Sequence, residues 1–294
     1  MESPGIGETW TRFWFTPADA RPLAAVRILA ALLGLLLLWS YAGDLQAWFG
    51  PGGMLPADVA QSWRSRFGFS LFDLATTAPS LWMLFGMTVA AFTALLLGLA
   101  SRPAAIASAA LWASLLHRGP MLAGPADDCL AAILWCLVVG PCGHDWSLDR
   151  WLAVRAGRPA PAASPWTRVA LGLLMALASA ITLAGVMAQL KGDTWWDGTA
   201  AWWLAMRSSR IIDLAPLYAR SEYLMNFVTH AIVAFEIVFA GGLWCGPMRR
   251  TIARVALVAW PLIGAIAGEP LWGLAMGIFA VPFAELVPVQ ADRP

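Results

Sequence analysis

Long apolar runs separated by short arginine-, glycine- or proline-marked breaks dominate this chain. They cover residues 23–43, 78–100, 104–117, 126–142, 166–190, 222–245, 251–268 and 270–288. Most approach or exceed the 17–25 residues that cross a bilayer as a helix. The pattern predicts an all-α fold: a polytopic integral membrane helical bundle of about eight transmembrane helices with short interfacial helices. The third run is the shortest. Its fourteen residues rise only about 21 Å, so it is expected to tilt or to be re-entrant. Only Glu269-Pro270 separates the last two, which predicts a tight helical hairpin. Residues 1–22 read as an N-terminal interfacial segment, 23–290 as one transmembrane domain and 291–294 as a tail. Two connections have room for structure. Residues 44–77 contain the turn Gly50-Pro51-Gly52-Gly53, and residues 191–221 contain Ala200–Met206, expected to lie as a short helix in the interface.

Composition agrees with a lipid setting. The chain is 60% apolar and 13% charged, and the charged share is about half that of a soluble domain. A net charge of +1 gives no footprint for nucleic acid. With eight spans, Arg12, Arg21, Arg102, Arg150, Arg155, Arg158, Arg168, Arg249, Arg250, Arg254 and Arg293 collect on one side, while most acids fall on the other. The positive-inside rule then places both termini in the cytoplasm. The preference for arginine and alanine suggests a GC-rich bacterial genome, hence the bacterial cytoplasmic (inner) membrane. Cys129, Cys136, Cys142 and Cys245 have no metal-ligand spacing, and packing is their expected role.

Against this background the ionisable residues inside or beside the spans stand out. Lys191 is the only lysine among the chain's basic residues and follows directly on the fifth apolar run. A partly buried lysine can lose its proton where arginine cannot, so it is a candidate base. The alternative is a snorkelling cation at the membrane boundary, with Trp195 and Trp196 as interface anchors. Arg27 and Glu236, both towards the inner half, are read as a structural intramembrane pair. His230 lies six residues before Glu236 on the same run, about 9 Å nearer the outer side, and is either a packing residue or a proton relay. Asp127 and Asp128 open the fourth helix, where its dipole favours carboxylates. His117 and Arg118 are read as boundary residues closing the third.

Several motifs occur in a telling order: Phe13-Trp14-Phe15-Thr16-Pro17, then Ala25-Val26-Arg27-Ile28-Leu29, then Trp48-Phe49-Gly50-Pro51-Gly52-Gly53. They are followed by Trp146-Ser147-Leu148-Asp149 and by Ala184-Gly185 through Lys191 to Trp196-Asp197-Gly198-Thr199-Ala200. Over roughly residues 10–245 this resembles the HTTM family, the membrane domain shared with vitamin K-dependent γ-carboxylase. The resemblance implies Lys191 as the catalytic base; His230 as a proton relay and Asp127 or Asp128 as a tuning carboxylate fall in the same outer half and complete the candidate set. The resemblance also implies reduced vitamin K, a menaquinol-like quinol, as cofactor, with Trp195 and Trp196 against its ring. The expected chemistry is oxygenation or epoxidation of a reduced quinone. The large lumenal region of the carboxylase has no counterpart here, and Ala126-Asp127-Asp128-Cys129 stands where the carboxylase carries an asparagine-histidine pair. The alternative is a non-enzymatic maturation or assembly factor holding a protein partner at the outer face. A transporter would favour repeated halves, and no repeat is found. Phosphate-binding glycine loops, zinc-protease patterns and nucleophile elbows are absent from the sequence.

Overall fold

The structure is a computed structural model that describes residues 5–64, 68–159 and 161–284. The end of the eighth expected span (285–288), the tail 291–294 and Arg66 lie outside the described residues. The described chain is helical, with one isolated antiparallel bridge between Ala18 and Ser164. In chain order the helices are α1 Ile6–Phe15, α2 Arg21–Ala42, α3 Leu45–Phe49, α4 Ala57–Trp63, α5 Ala78–Leu97, α6 Ser101–Arg118, α7 Pro125–Val139 and α8 Leu148–Arg155. They continue with α9 Pro165–Gln189, α10 Asp193–Trp196, α11 Ala200–Ala205, α12 Ala215–Tyr218, α13 Glu222–Gly242, α14 Gly246–Ala267 and α15 Pro270–Ala280. Five of them, α2, α5, α9, α13 and α14, are long and apolar enough to cross a membrane. Their free faces are apolar too: Leu29, Leu32, Leu36 and Trp39 recur at helical spacing along α2 and are all exposed. A water-facing helix would carry polar side chains there, so a bilayer is the natural solvent. The protein is a multi-pass membrane helical protein.

The other three expected spans are helices as well, with altered bounds. The short third run becomes α6, 18 residues or about 27 Å, because the helix starts at Ser101 and not at Ala104. The fourth, α7, keeps 15 residues, and α15 keeps 11 before a tight turn at Val281–Phe283.

The chain forms two compact units, Met1–Ala170 and Leu171–Pro294. In the first, α2 packs on α5, α5 on α6, α6 on α7, and α7 back on α2. The closest approach is at Gly34 of α2, where a side-chain carbon would overlap the buried Phe92 ring of α5. Trp112 of α6 is fully buried and holds Phe92 edge-on, with ring centroids 5.8 Å apart.

One end of this unit is tied by the Trp146-Ser147-Leu148-Asp149 stretch. Gly98 closes α5 at φ +66°, and Ala100 also takes a left-handed conformation. Asp149 then accepts hydrogen bonds from the N–H groups of Ala100 (2.8 Å) and Ser101 (2.7 Å) and from the Ser101 hydroxyl (2.7 Å). It thereby supplies from a distance the N-terminal cap that α6 lacks in its own sequence, which is why α6 begins a turn earlier than its apolar run. Ser147 caps α8 through the N–H of Arg150 (3.0 Å).

Burial alone would raise the Asp149 carboxyl. The Ser101 and Ala100 donors, with the nearby Arg27 charge, outweigh it and hold the group below the usual carboxylate range. A carboxyl lowered by folding stabilises the protein above its unfolded value, and that contribution is lost as pH falls through the folded value. Melting temperature should therefore fall on acidification below about pH 4. In Asp149→Asn it should start lower and fall less steeply. Parallel acid limbs for the two proteins would remove Asp149 from this role.

In the second unit α14 and α15 form the expected hairpin. Gly268 turns the chain at φ +75°, and Pro270 opens α15. A side-chain carbon on Gly264 would stand 2.9 Å from the Gly273 Cα, so two glycines allow the helices to cross closely. Above them Trp260 is packed edge-on by Phe235, Phe239 and Trp272. Residues 200–205 do form a helix, but its alanine face is buried: Ala201, Ala205 and Tyr218 make a small core against which Met225 and Val228 of α13 pack.

Candidate functional site

A recess with chemistry on its walls lies in the first unit, where the C-terminal end of α2 meets α3 and the start of α7. It is a cavity of about 310 Å³ whose lining includes Ser40, Tyr41, Asp44, Trp48, Phe49 and Asp127. Each wall has a local cause. After α3 the Gly50-Pro51-Gly52-Gly53 turn folds the chain back, with Met54 N–H bonded to Ala47 O (2.8 Å) and Leu55 N–H to Trp48 O (3.0 Å). Only glycine suits position 53, where a side-chain carbon would meet the Trp48 carbonyl at 2.8 Å. The turn thus fixes Trp48 and Phe49 as the aromatic wall. Behind Phe49 stands Arg118, its guanidinium 5.3 Å from the ring centroid, donating to Leu55 O at 2.9 Å. Arg118 was expected as a boundary residue. It is buried, and it shares Asp73 with Arg64.

Asp127 sits at the third position of α7 and is 5% exposed. One of its oxygens accepts the Gly124 N–H at 2.7 Å, closing the helix start, and the other accepts the Tyr41 hydroxyl at 3.3 Å. Trp112 supports both partners. Its indole N–H donates to Asp127 O at 3.2 Å, and its ring meets Tyr41 edge-on at 6.3 Å. Asp128, one residue on and so about 100° around the helix, is exposed. The two adjacent acids therefore face different surroundings. Two carboxylates, Asp44 and Asp127, and no basic side chain line the cavity. Such a recess can accept hydroxyl or amine donors from a flat, ring-bearing ligand.

The other expected site residues lie in the second unit. Lys191 follows α9 and is exposed, and among the described residues its ammonium has no hydrogen-bond or ion-pair partner. Trp196 is exposed, with its indole N–H on Leu190 O at 2.8 Å, and Trp195 is half-buried. Neither is among the cavity's lining residues. The Trp196–Ala200 motif has an architectural account. Asp197 accepts the Thr199 N–H (2.9 Å) and hydroxyl (2.6 Å), which hold its carboxyl below the usual range. Gly198 turns at φ +81°, and the Thr229 hydroxyl of α13 donates to its carbonyl at 2.8 Å. His230 is exposed on α13, its Nδ1 2.8 Å from Asn226 O in the preceding turn.

Arg27 and Glu236, the expected pair, each make hydrogen bonds within their own unit. Arg27 is fully buried and donates to two backbone carbonyls of its own unit, Cys142 O at 2.9 Å and Trp146 O at 2.6 Å. Glu236 is buried and accepts a hydrogen bond from Gln189 at 3.2 Å. The carbonyls available to Arg27 come from the irregular stretch between α7 and α8, and a backbone acceptor leaves no side-chain signal in the sequence. No group of three or more histidine, cysteine or acidic side chains is placed to hold a metal among the described residues.

Tyr41 and Asp44 do not stand out in the sequence, and Trp48 does so only as part of the Trp48–Gly53 motif. Tyr41 is one of three tyrosines, and it stands with Asp44 where an apolar run ends. That is a weak signal until the fold brings Asp127 opposite. Comparison with protein-family models, with curated proteins and with solved structures gives no match for this chain.

Proposed function

We propose that this multi-pass membrane protein binds a reduced quinone in the cavity between Tyr41 and Asp127, and that it oxygenates the bound ring. The observation that carries the reading is the buried Asp127 carboxylate, hydrogen-bonded to Tyr41 in the wall of a cavity that Trp48 and Phe49 also line. A quinol is flat, apolar and lipid-soluble, with hydroxyl donors at its edge. Such a ligand matches aromatic walls and a carboxylate whose two oxygens, each already holding one donor, keep a further lone pair. The reaction class comes from the resemblance to the HTTM membrane domain: quinol and dioxygen give quinone epoxide and water, one oxygen atom entering the ring and the other leaving with the two hydroxyl hydrogens. Asp127 is assigned as the group that accepts the ring hydroxyl. Lys191, which the resemblance implies as base, is exposed and is given no proton-transfer role in this reading.

The test is menaquinol supplied under air to protein in nanodiscs, with epoxide as the product measured. Asp127→Asn should lower its formation by about 100-fold or more, the usual contribution of a positioned proton acceptor. Lys191→Arg should keep most of it. Loss in Lys191→Arg alone would return the role to the lysine. No epoxide from the wild type, with quinone binding intact, would make the protein a binding module and sink the oxygenase reading.

A further inference from the structure

The contact between Gln189, at the end of α9, and Glu236, in the middle of α13, is short of one hydrogen atom. Glu236 is 3% exposed, and Gln189 Nε2 donates to its Oε1 at 3.2 Å. The remaining two oxygens, Glu236 Oε2 and Gln189 Oε1, are both buried and have no hydrogen-bond partner. With Glu236 ionised, both are acceptors only, and a buried negative charge is left with one donor. An apolar span penalises that arrangement heavily.

Among the described residues no basic side chain of the same unit answers the carboxylate. Arg249 donates to Leu243 O and Arg254 to Ala284 O, while Arg207 pairs with Glu269 and Arg210 with Asp213. Arg220 and Lys191 are exposed, and so are the other ionisable groups of α13, Glu222 and His230. Arg250 belongs to the first turns of α14. Glutamine, however, presents a donor and an acceptor side by side in one plane. That edge is the complement of a carboxylic acid and not of a carboxylate.

We propose that Glu236 and Gln189 form a proton-binding site inside the membrane. The proton, taken from water, sits on Glu236 Oε2 and is donated to Gln189 Oε1, closing a cyclic acid–amide pair with two hydrogen bonds. All four polar atoms then have a partner. The same two helices are joined elsewhere by the Ser179 hydroxyl on Ala240 O (2.8 Å) and the Trp244 indole on Ser179 (2.9 Å), contacts that need no added proton. The proton is thus a ligand for one of the α9–α13 contacts, and its release sets two acceptors against each other there. This site is independent of the ring-binding cavity.

The experiment is infrared spectroscopy of the full chain in nanodiscs at pH 7, in water and in deuterium oxide. The wild type should show a carboxylic-acid carbonyl band that shifts in deuterium oxide and disappears in Glu236→Gln. That variant should keep the wild-type melting temperature, because an amide pair reproduces both hydrogen bonds. Gln189→Leu should leave the acid band present but move it to higher frequency, as expected for a carbonyl that has lost its donor. A folded Glu236→Gln whose acid region is unchanged, or which loses a carboxylate band instead, would overturn the proposal. Should Glu236→Gln fail to fold, Gln189→Leu in protein with isotope-labelled glutamate decides: an unmoved labelled acid band, or none, sinks it.

Discussion

Replacing Arg27 with methionine should destabilise the protein by about 2–6 kcal/mol, because two carbonyls each lose their donor at about 1–3 kcal/mol apiece. Methionine fills much of the same volume, so the loss reports the polar contacts and not a cavity. Arg27 is fully buried and reaches Cys142 O and Trp146 O with two nitrogens of one rigid fork. Without it two carbonyls at the α7–α8 connection face an apolar interior unpaired. The same connection carries Asp149, whose bonds to Ala100 and Ser101 start α6. Arg27→Lys should recover little, because an ammonium cannot span both carbonyls in one plane. The measurement is unfolding in mixed micelles for wild type, Arg27→Met, Arg27→Lys and the pairing with Asp149→Asn. A loss under about 1 kcal/mol for Arg27→Met, within the range of one ordinary hydrogen bond, would show that the fork is dispensable.

Trp112→Ala should cost a similar amount, about 3–5 kcal/mol, as large buried aromatics do when truncated. Trp112 has no exposed surface, meets Phe92 and Tyr41 edge-on, and donates its indole N–H to Asp127 O. The expected result has a second part, in quinone binding. Tyr41 loses the ring that holds it towards Asp127, so binding should weaken even in molecules that remain folded. Trp112→Phe separates the two contributions: it keeps most of the packing and removes one hydrogen bond, for about 1 kcal/mol. Denaturation and ligand titration on the same preparations check both. Full quinone affinity in folded Trp112→Ala would show that Tyr41 needs no such support.

The candidate site was only partly legible beforehand. Asp127 and Asp128 stood out as adjacent acids at a helix start, yet a helix turns about 100° per residue, so no more than one can share a given wall. Which one does depends on where α2 lies, and that is a tertiary fact. Lys191 stood out by being unique in composition. Uniqueness says nothing about enclosure, and its side chain is exposed. Arg27 and Glu236 were matched because opposite charges in an apolar chain invite pairing. Their actual partners, backbone carbonyls and a glutamine amide, are neutral groups that leave no charge pattern. Of the motifs, Trp146–Asp149 and Trp196–Ala200 resolve into caps and turns, whereas Trp48–Gly53 also shapes the cavity wall.

The sequence by itself determined the all-α class, the apolar helices and most of their limits, and the hairpin at Glu269-Pro270. These follow from local rules, because a lipid-facing segment must satisfy its own backbone and announces itself by length and apolarity. Tertiary structure alone decided the true start of α6, the partners of Arg27 and Glu236, and the meeting of Tyr41 with Asp127. Each depends on groups far apart in the chain, Asp149 with Ser101, Arg27 with Cys142, Gln189 with Glu236 and Tyr41 with Asp127. Hydrogen bonds are directional and short-ranged, so such pairs exist only once packing has brought their atoms within about 3 Å.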